Sequence, residues 1–409
     1  MKFSVHTVST LKILWVLFIT FIFKGHLLSQ NGVPLYLSEH TKVSLLTSSP
    51  GEDLYAQFGH SAIRIKDTLS GQDLVFNYGL FDFNTPGFYV KFVRGKLPYQ
   101  LGIQRFDRFL NSYIEENRQL RELEINLSEN ERITLIEFLS VNYLPENRAY
   151  SYDFFYDNCA TRIRDILENK FQANYPDTSL VKKATFRHLL SEYVGQNSWI
   201  NVGFYLILGI PSDAIATFRD EMFLPDYLEK HLKNADLKNK NLAKNKVQIL
   251  FQNQPQKNDY LLLSPILIGW LLFFKGLLIT LFFSSRWKNY FDKVYYSLLF
   301  LAGVLFVFMW LGTDHFVTHK NMNLLWASPL YFLFIINIIS KKQELYLILF
   351  LLVTNLLIII GWKFLPQEFH IAIVPLVFLN IVRLTDKLIK RLDPDRIIEV
   401  LKKKFMEQN

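Results

Sequence analysis

A single cysteine, Cys159, stands in a chain of 409 residues. That excludes an intramolecular disulfide framework and any multi-cysteine zinc or iron–sulfur site. The chain also has no G-x-x-x-x-G-K phosphate loop, no G-x-G-x-x-G turn, no H-E-x-x-H pair and no internal repeat. Nucleotide-driven, nicotinamide-dependent and zinc-protease chemistries therefore lack their usual handles. Apolar residues are plentiful but unevenly placed. Half of the chain is hydrophobic and 37 residues are Phe. Up to about residue 255 polar and apolar residues mix in short periods, whereas 260–384 is mostly long apolar runs. A wholly soluble protein is excluded, and so is one made only of membrane. Basic residues outnumber acidic ones by 45 to 37, a net charge of +8. Most of this excess flanks apolar segments, so membrane topology explains it better than nucleic-acid binding does.

Lys2 and Lys12 precede an apolar stretch, Ile13 to Phe23, followed by Ser29, Gln30, Asn31 and Gly32. Residues 1–29 thus read as a signal peptide cleaved after Ser29, or as an uncleaved signal anchor. Both place the following domain, to about residue 235, outside the cytoplasm. No cysteine follows the apolar stretch, so the protein is not itself a lipoprotein. Five membrane spans are expected within 259–385, near Tyr260–Phe283, Val294–Gly312, Leu324–Ile339, Leu345–Trp362 and Phe369–Leu384. About 20 apolar residues cross the hydrocarbon layer. With the first domain outside, twelve basic residues fall inside: Arg286, Lys288, Lys293, Lys341, Lys342, Lys387, Lys390, Arg391, Arg396, Lys402, Lys403 and Lys404. Only Lys320 and Lys363 fall in the short outer loops. This bias orients the protein with its basic tail, 386–409, in the cytoplasm. Lys275 inside the first span is expected to snorkel or to face protein. The polar stretch 236–258 is expected as a linker.

The outer domain, 30–235, reads as a small α+β core. Val43–Thr47, Ser61–Lys66 and Leu74–Tyr78 are expected strands, the first two around Ser49-Pro50-Gly51. Asp107–Leu120 carries Phe109, Leu110, Tyr113 and Ile114 at helical spacing. Ser128-Glu129-Asn130-Glu131 is a capping box that opens a helix over 129–142. A third helix over 158–169 is capped by Asp157 or Asn158, which puts Cys159 in its first turn.

A thiol there feels the positive end of the helix dipole, a preference for thiolate of roughly 0.3–1 kcal/mol. One pKa unit is about 1.4 kcal/mol, so the dipole alone does not activate it and an imidazolium is needed. The alternative is a cysteine that merely fills the core. The candidate base is His60, at the start of a strand behind Gly59. Asn77 or Asp82 is the candidate to orient its ring. Arg64, Arg162 and Arg164 are candidate phosphate contacts; the alternative is solvated faces. Asp314 and His315 stand in an outer loop, where closure over the site would let Asp314 pair with Arg162 or Arg164. His315 and His319, four apart, are either headgroup contacts or a helical metal pair, and headgroup contact is preferred.

Taken together, Gly59-His60-Ser61-Ala62-Ile63-Arg64-Ile65, Asn77-Tyr78-Gly79-Leu80-Phe81-Asp82-Phe83 and Tyr156-Asp157-Asn158-Cys159-Ala160-Thr161-Arg162 resemble the Lnb-type lipoprotein N-acyltransferases. The resemblance extends to Phe88–Leu97, to Gly209-Ile210-Pro211-Ser212-Asp213 and to Met222-Phe223-Leu224-Pro225. It continues into Thr313-Asp314-His315 and Asn321-Met322-Asn323-Leu324-Leu325-Trp326, covering nearly everything from about 40 to 385. Ile215 departs from it, where a more polar residue is expected. His before Cys is similar to the order in circularly permuted papain-like proteins. The resemblance therefore implies a permuted papain-like (NlpC-type) domain followed by a five-helix transmembrane bundle in a bacterial inner membrane, with the catalytic domain periplasmic. It also implies an activity that needs no cofactor. Cys159 would take an acyl chain from a phospholipid donor and pass it to the α-amine of a diacylglyceryl-cysteine lipoprotein acceptor, with His60 as base. The rivals are a phospholipase or cell-wall amidase using the same pair, and a scaffold without catalysis.

Overall fold

The computed structural model describes residues 38–175, 184–251 and 264–392. The expected signal segment 1–29, and the tail beyond residue 392, lie outside the described residues. The three early strands form as read and run slightly longer: β1 (Thr41–Ser48), β2 (His60–Asp67) and β3 (Asp73–Leu80). Then come α1 (Phe88–Val93), β4 (Pro98–Arg105), α2 (Phe106–Glu115), β5 (Leu120–Ile125), α3 (Glu129–Tyr143), β6 (Ala149–Ser151) and α4 (Cys159–Phe171). The rest of this part comprises α5 (Phe186–Val194), α6 (Trp199–Ile207), α7 (Pro225–Lys233) and β7 (Ala243–Leu250).

The seven strands make one sheet in the order β6-β4-β3-β2-β1-β5-β7, with every neighbouring pair antiparallel. Consecutive residues Leu45 and Leu46, Ala62 and Ile63, and Val75 and Phe76 are all almost fully buried. Neighbours along a strand point to opposite faces, so the central strands are covered on both sides. On one side α2 lays Phe106, Phe109 and Tyr113 against Leu46, Ala62 and Val75. Helix α2 stops earlier than its apolar spacing implies, because Asn117 turns into the left-handed region and the chain leaves as β5. The capping box forms: Ser128 Oγ accepts from Glu131 N, and Glu131 accepts from Ser128 N at 2.9 Å. The linker expectation is corrected over its first part. Residues 243–250 are β7, paired along β5 at the sheet edge, while 252–258 lie outside the described residues.

The C-terminal part is helical with apolar helices, and length and apolarity alone do not reach the expected count of five spans. Among the described residues three helices are long and apolar enough to cross a membrane: α8 (Pro265–Phe282), α9 (Ser285–Leu311) and α10 (Lys341–Gly361). The stretch 324–339 is instead two 3₁₀ turns and one short helix, Phe332–Ile336. Pro329 has no N–H to donate, and Ser328 caps the turn it opens. Such broken backbone is tolerated at membrane depth when protein surrounds it, and Trp326, Ala327 and Tyr331 are buried. The last expected span becomes a 3₁₀ turn, Ile371–Ile373, and an amphipathic helix, α11 (Val374–Leu392). Arg383 of α11 is fully buried, paired with Asp292 of α9 at 2.7 Å and bonded to Thr280 of α8. Lys275 is exposed on α8 among outward apolar side chains, so it does not face protein.

A dense polar joint connects the two parts. The last carbonyls of a helix have no partner within it, and those of α6 are satisfied from the helical part. Asn321 donates to Leu206 O at 2.7 Å and Asn323 to Tyr205 O at 2.8 Å. Arg187, fully buried, is held by Asp213 at 2.8 and 2.9 Å and donates to Leu208 O and Gly209 O. Gly209 N donates to Val317 O, and a Cβ at Gly209 would stand 1.9 Å from the His319 carbonyl oxygen. Only glycine permits that approach.

Candidate active site

Two ends of the fold meet at Cys159. The first is the N-terminus of α4. Asn158 is its cap, accepting from Ala160 N at 2.8 Å and Thr161 N at 2.9 Å, while Thr161 Oγ1 accepts from Asn158 N at 2.7 Å. The Asn158 amide also donates to Phe154 O and Phe223 O, both at 2.8 Å. The cap is thereby tied to the segment 222–225 that precedes α7. The second end is the start of β2. Gly59 turns the chain there with a φ of 76°, and any Cβ would fall 2.5 Å from Ser48 O. This turn delivers His60 opposite Ser48 in the sheet register.

The thiol and the His60 imidazole lie close enough for each to shift the other's titration. His60 Nε2 lies 2.6 Å from Asn77 Oδ1, which makes Nε2 the donor in that bond. Burial pushes the Cys159 thiol up. The charge and hydrogen bond of His60, with the N–H groups of Ser61 and Ala160, outweigh burial and bring it below the ordinary 9.0. Burial also pulls His60 down, but the thiolate charge, its hydrogen bond and Asn77 raise the imidazole above 6.5. The two shifts favour a thiolate–imidazolium pair. Such a pair is the activated form of a thiol nucleophile.

Asn77 reaches His60 through the β2–β3 register, in which Ile63 stands opposite Phe76, and just beyond Asn77 β3 becomes irregular. Its pairing with β4 shifts register between Asn77 and Leu80, and Gly79 sits at a φ of 92°. A bulge of this kind re-aims a side chain and ends pairing. Around Gly79 it leaves a recess the size of one methyl group, lined by Tyr152, Cys159 and Tyr150 at 3.8–4.0 Å from where a Cβ would stand. The Tyr150 hydroxyl is buried without a hydrogen-bond partner. Burial and the neighbouring thiolate raise that phenol far above its ordinary range, so it stays a donor.

Comparison with known families adds the decisive observation. A family model of the Lnb N-terminal periplasmic domain matches residues 36–192, and one of the Lnb transmembrane domain matches residues 256–393. The chain belongs to the Lnb family. Comparison with curated proteins and with solved structures gave no match. As an Lnb protein it is a lipoprotein-processing membrane enzyme with a periplasmic part.

In this Lnb protein the other expected site residues fall outside the recess. Asp82 does not orient His60; it accepts from Asn84 in its own turn. Arg64 is not a phosphate contact. It is buried, paired with Asp73 and Glu122, and stacked 3.4 Å over Phe106. Arg164 is spent on Asp165 and Arg219 O. Arg162 is clamped by Asp157 and lies 3.5 Å over the Tyr150 ring, which makes it a support for that ring. Asp314 pairs with neither arginine; Lys96 is its partner at 3.6 Å. The His315 ring packs against Gly95. A 3₁₀ turn separates His315 from His319, so helical spacing does not bring the two together. Ile215 is exposed. Tyr150 and Tyr152 are the residues that sequence reasoning missed. Their signal was available: aromatics two apart, Tyr150 in β6 and Tyr152 just past its end, a few residues before the Asn158-Cys159 turn.

Proposed function

We propose that the protein moves an acyl chain from a phospholipid, through a thioester on Cys159, to the α-amine of a diacylglyceryl-cysteine lipoprotein. It would do so from the periplasmic side of a bacterial inner membrane that its helical part crosses several times. The observation that carries this reading is the Cys159–His60–Asn77 array in a chain with Lnb periplasmic and transmembrane domains.

The Cys159 thiolate attacks the ester carbonyl carbon, forming the C–S bond and placing charge on the carbonyl oxygen. The Ser61 N–H and the Tyr150 hydroxyl are the donors available for that oxyanion. As the C–O bond breaks, His60 gives its proton to the leaving lysophospholipid oxygen. The acceptor's free amine then attacks the thioester, and His60 takes a proton from that nitrogen. Loss of the thiolate completes the amide and restores the ion pair. The ester already holds the activation, so no nucleotide is consumed.

The test is mass spectrometry of a lipoprotein N-terminus from cells making the wild type or Cys159→Ala. The third acyl chain should be present with the first and missing with the second. Equal N-acylation in both overturns the transferase. Release of free fatty acid in place of acylation marks a phospholipase.

A further inference from the structure

We infer that α1 is immersed in the outer leaflet and that the aromatic side chains behind it form the path by which a donor acyl chain reaches Cys159. The substrate in this inference rests on the acyl-transfer reading above; the immersion does not. Helix α1 has six residues, too short to be stable in water by itself. Yet it turns Tyr89 (76% exposed), Val90, Phe92 (50% exposed) and Val93 outward, with Phe83 beside them. Isolated exposed apolar residues are ordinary, but a contiguous patch of this kind marks an interface.

Three observations select lipid as the occupant. The first is continuity with the membrane part. Arg94 O, just past α1, accepts from Asp314 N at 2.9 Å, Lys96 pairs with Asp314, and His315 packs on Gly95. Those contacts set α1 beside the loop that follows α9, where Leu311 and Phe316 are also exposed. The second is charge. Lys91, Arg94 and Lys96 cluster around the apolar face, and the Lys91 and Arg94 side chains make no ion pair among the described residues. Apolar residues flanked by cations suit the boundary between acyl chains and anionic headgroups. The third is the path inward. From α1, Phe88 lies 5.7 Å from Phe81 between ring centres, Phe81 lies 5.4 Å from Tyr99, and Tyr99 stacks at 4.4 Å on Tyr152. Tyr152 borders the recess at Gly79 that Cys159 also lines. An unbroken file of rings thus runs from an exposed apolar helix to the thiol, and it offers hydrocarbon a surface where water would otherwise be met.

The immersion is tested with the full chain in phosphatidylethanolamine–phosphatidylglycerol vesicles. A Cys159→Ser background receives Phe92→Cys, Tyr89→Cys or, as the control on β7, Val247→Cys, each carrying a fluorescent label. Labels at 92 and 89 should be quenched by phospholipids bearing a nitroxide near the glycerol and shielded from aqueous iodide. The label at 247 should show the reverse. If label 92 answers to iodide as label 247 does, the helix lies in water and the inference fails. Shielding of label 92 from both quenchers means that protein covers the helix, which also overturns it. The path is tested by lipoprotein N-acylation in the same vesicles. Tyr89→Asp with Phe92→Asp should slow it about tenfold, whereas Tyr89→Trp with Phe92→Leu should restore it. Equal rates in all three overturn the path. Absence of acylation by the wild type overturns the transferase reading instead and leaves the depth measurement standing.

Discussion

A thiol buried as deeply as Cys159 keeps its proton unless nearby charge outweighs the lost hydration. Here His60 supplies the charge, and Asn77 holds the ring so that the charge lies beside the sulfur. The pH behaviour follows with a definite sign. The thiol is lowered, so the nucleophile is lost as pH falls through a midpoint below 9.0. The imidazole is raised, so the proton for the leaving group is lost only as pH rises through a midpoint above 6.5. Alkylation of Cys159 by iodoacetamide should report the first midpoint, and in His60→Ala it should move upward because the largest influence opposing burial is gone. Asn77→Ala removes one hydrogen bond of about 1–1.5 kcal/mol and should slow transfer about tenfold. Asn77→Asp keeps an acceptor at that place, so it should restore the rate and carry the alkaline limb upward. If Asn77→Ala leaves both limbs of the pH profile unmoved, Asn77 is only packing.

At the scale of elements, the site depends on where α4 begins. Asn158 satisfies two early N–H groups of the helix and ties its tip to Phe154 O and Phe223 O. Asn158→Ala loses a cap worth about 1 kcal/mol and strands two carbonyls at about 1–3 kcal/mol each when buried. The variant should lower the thermal midpoint by several degrees, measured by the protection of Cys159 from a thiol-reactive dye on heating. A wild-type midpoint would show that the tip is held from elsewhere. This helix start was legible in the sequence, because a cap, a thiol and an apolar stripe fall within a few residues of one another. The same holds for β1 to β3 and for the capping box at Ser128. What was not legible depends on distant partners. The register shift after Asn77 arises from β4, and β7 is a strand only because β5 offers an edge. The choice of Asn77 over Asp82 follows from the β2–β3 register, Ile63 opposite Phe76. Arg64 looked available for phosphate because its partners, Asp73 and Glu122, come from two other strands.

At the scale of the whole molecule, the five apolar runs give, among the described residues, three helices long and apolar enough to cross a membrane. Hydropathy counts residues, whereas Ser328-Pro329 and the buried amides of Asn321 and Asn323 decide where backbone leaves the helix. These same asparagines join the two parts. They satisfy the end of α6 and hold Trp326, whose Nε1 donates to Asn323 Oδ1 at 2.9 Å. The motif 209–213 serves the same joint through Gly209 and Asp213, so much of the family pattern outside the thiol fixes one part against the other. An enzyme acting on bilayer lipid needs that fixed relation, since a misplaced thiol loses the benefit of held geometry even with its chemistry intact. Asn321→Ala with Asn323→Ala leaves the carbonyls of Tyr205 and Leu206 unpaired, at about 1–3 kcal/mol each. The chemistry at Cys159 lies elsewhere in the fold, so the pH midpoint of its alkylation should stay at the wild-type value. Acyl transfer from vesicle phospholipid should fall in the same preparation. A variant in which transfer keeps its wild-type rate would show that the joint supports folding only, and that the thiol finds the bilayer by other contacts.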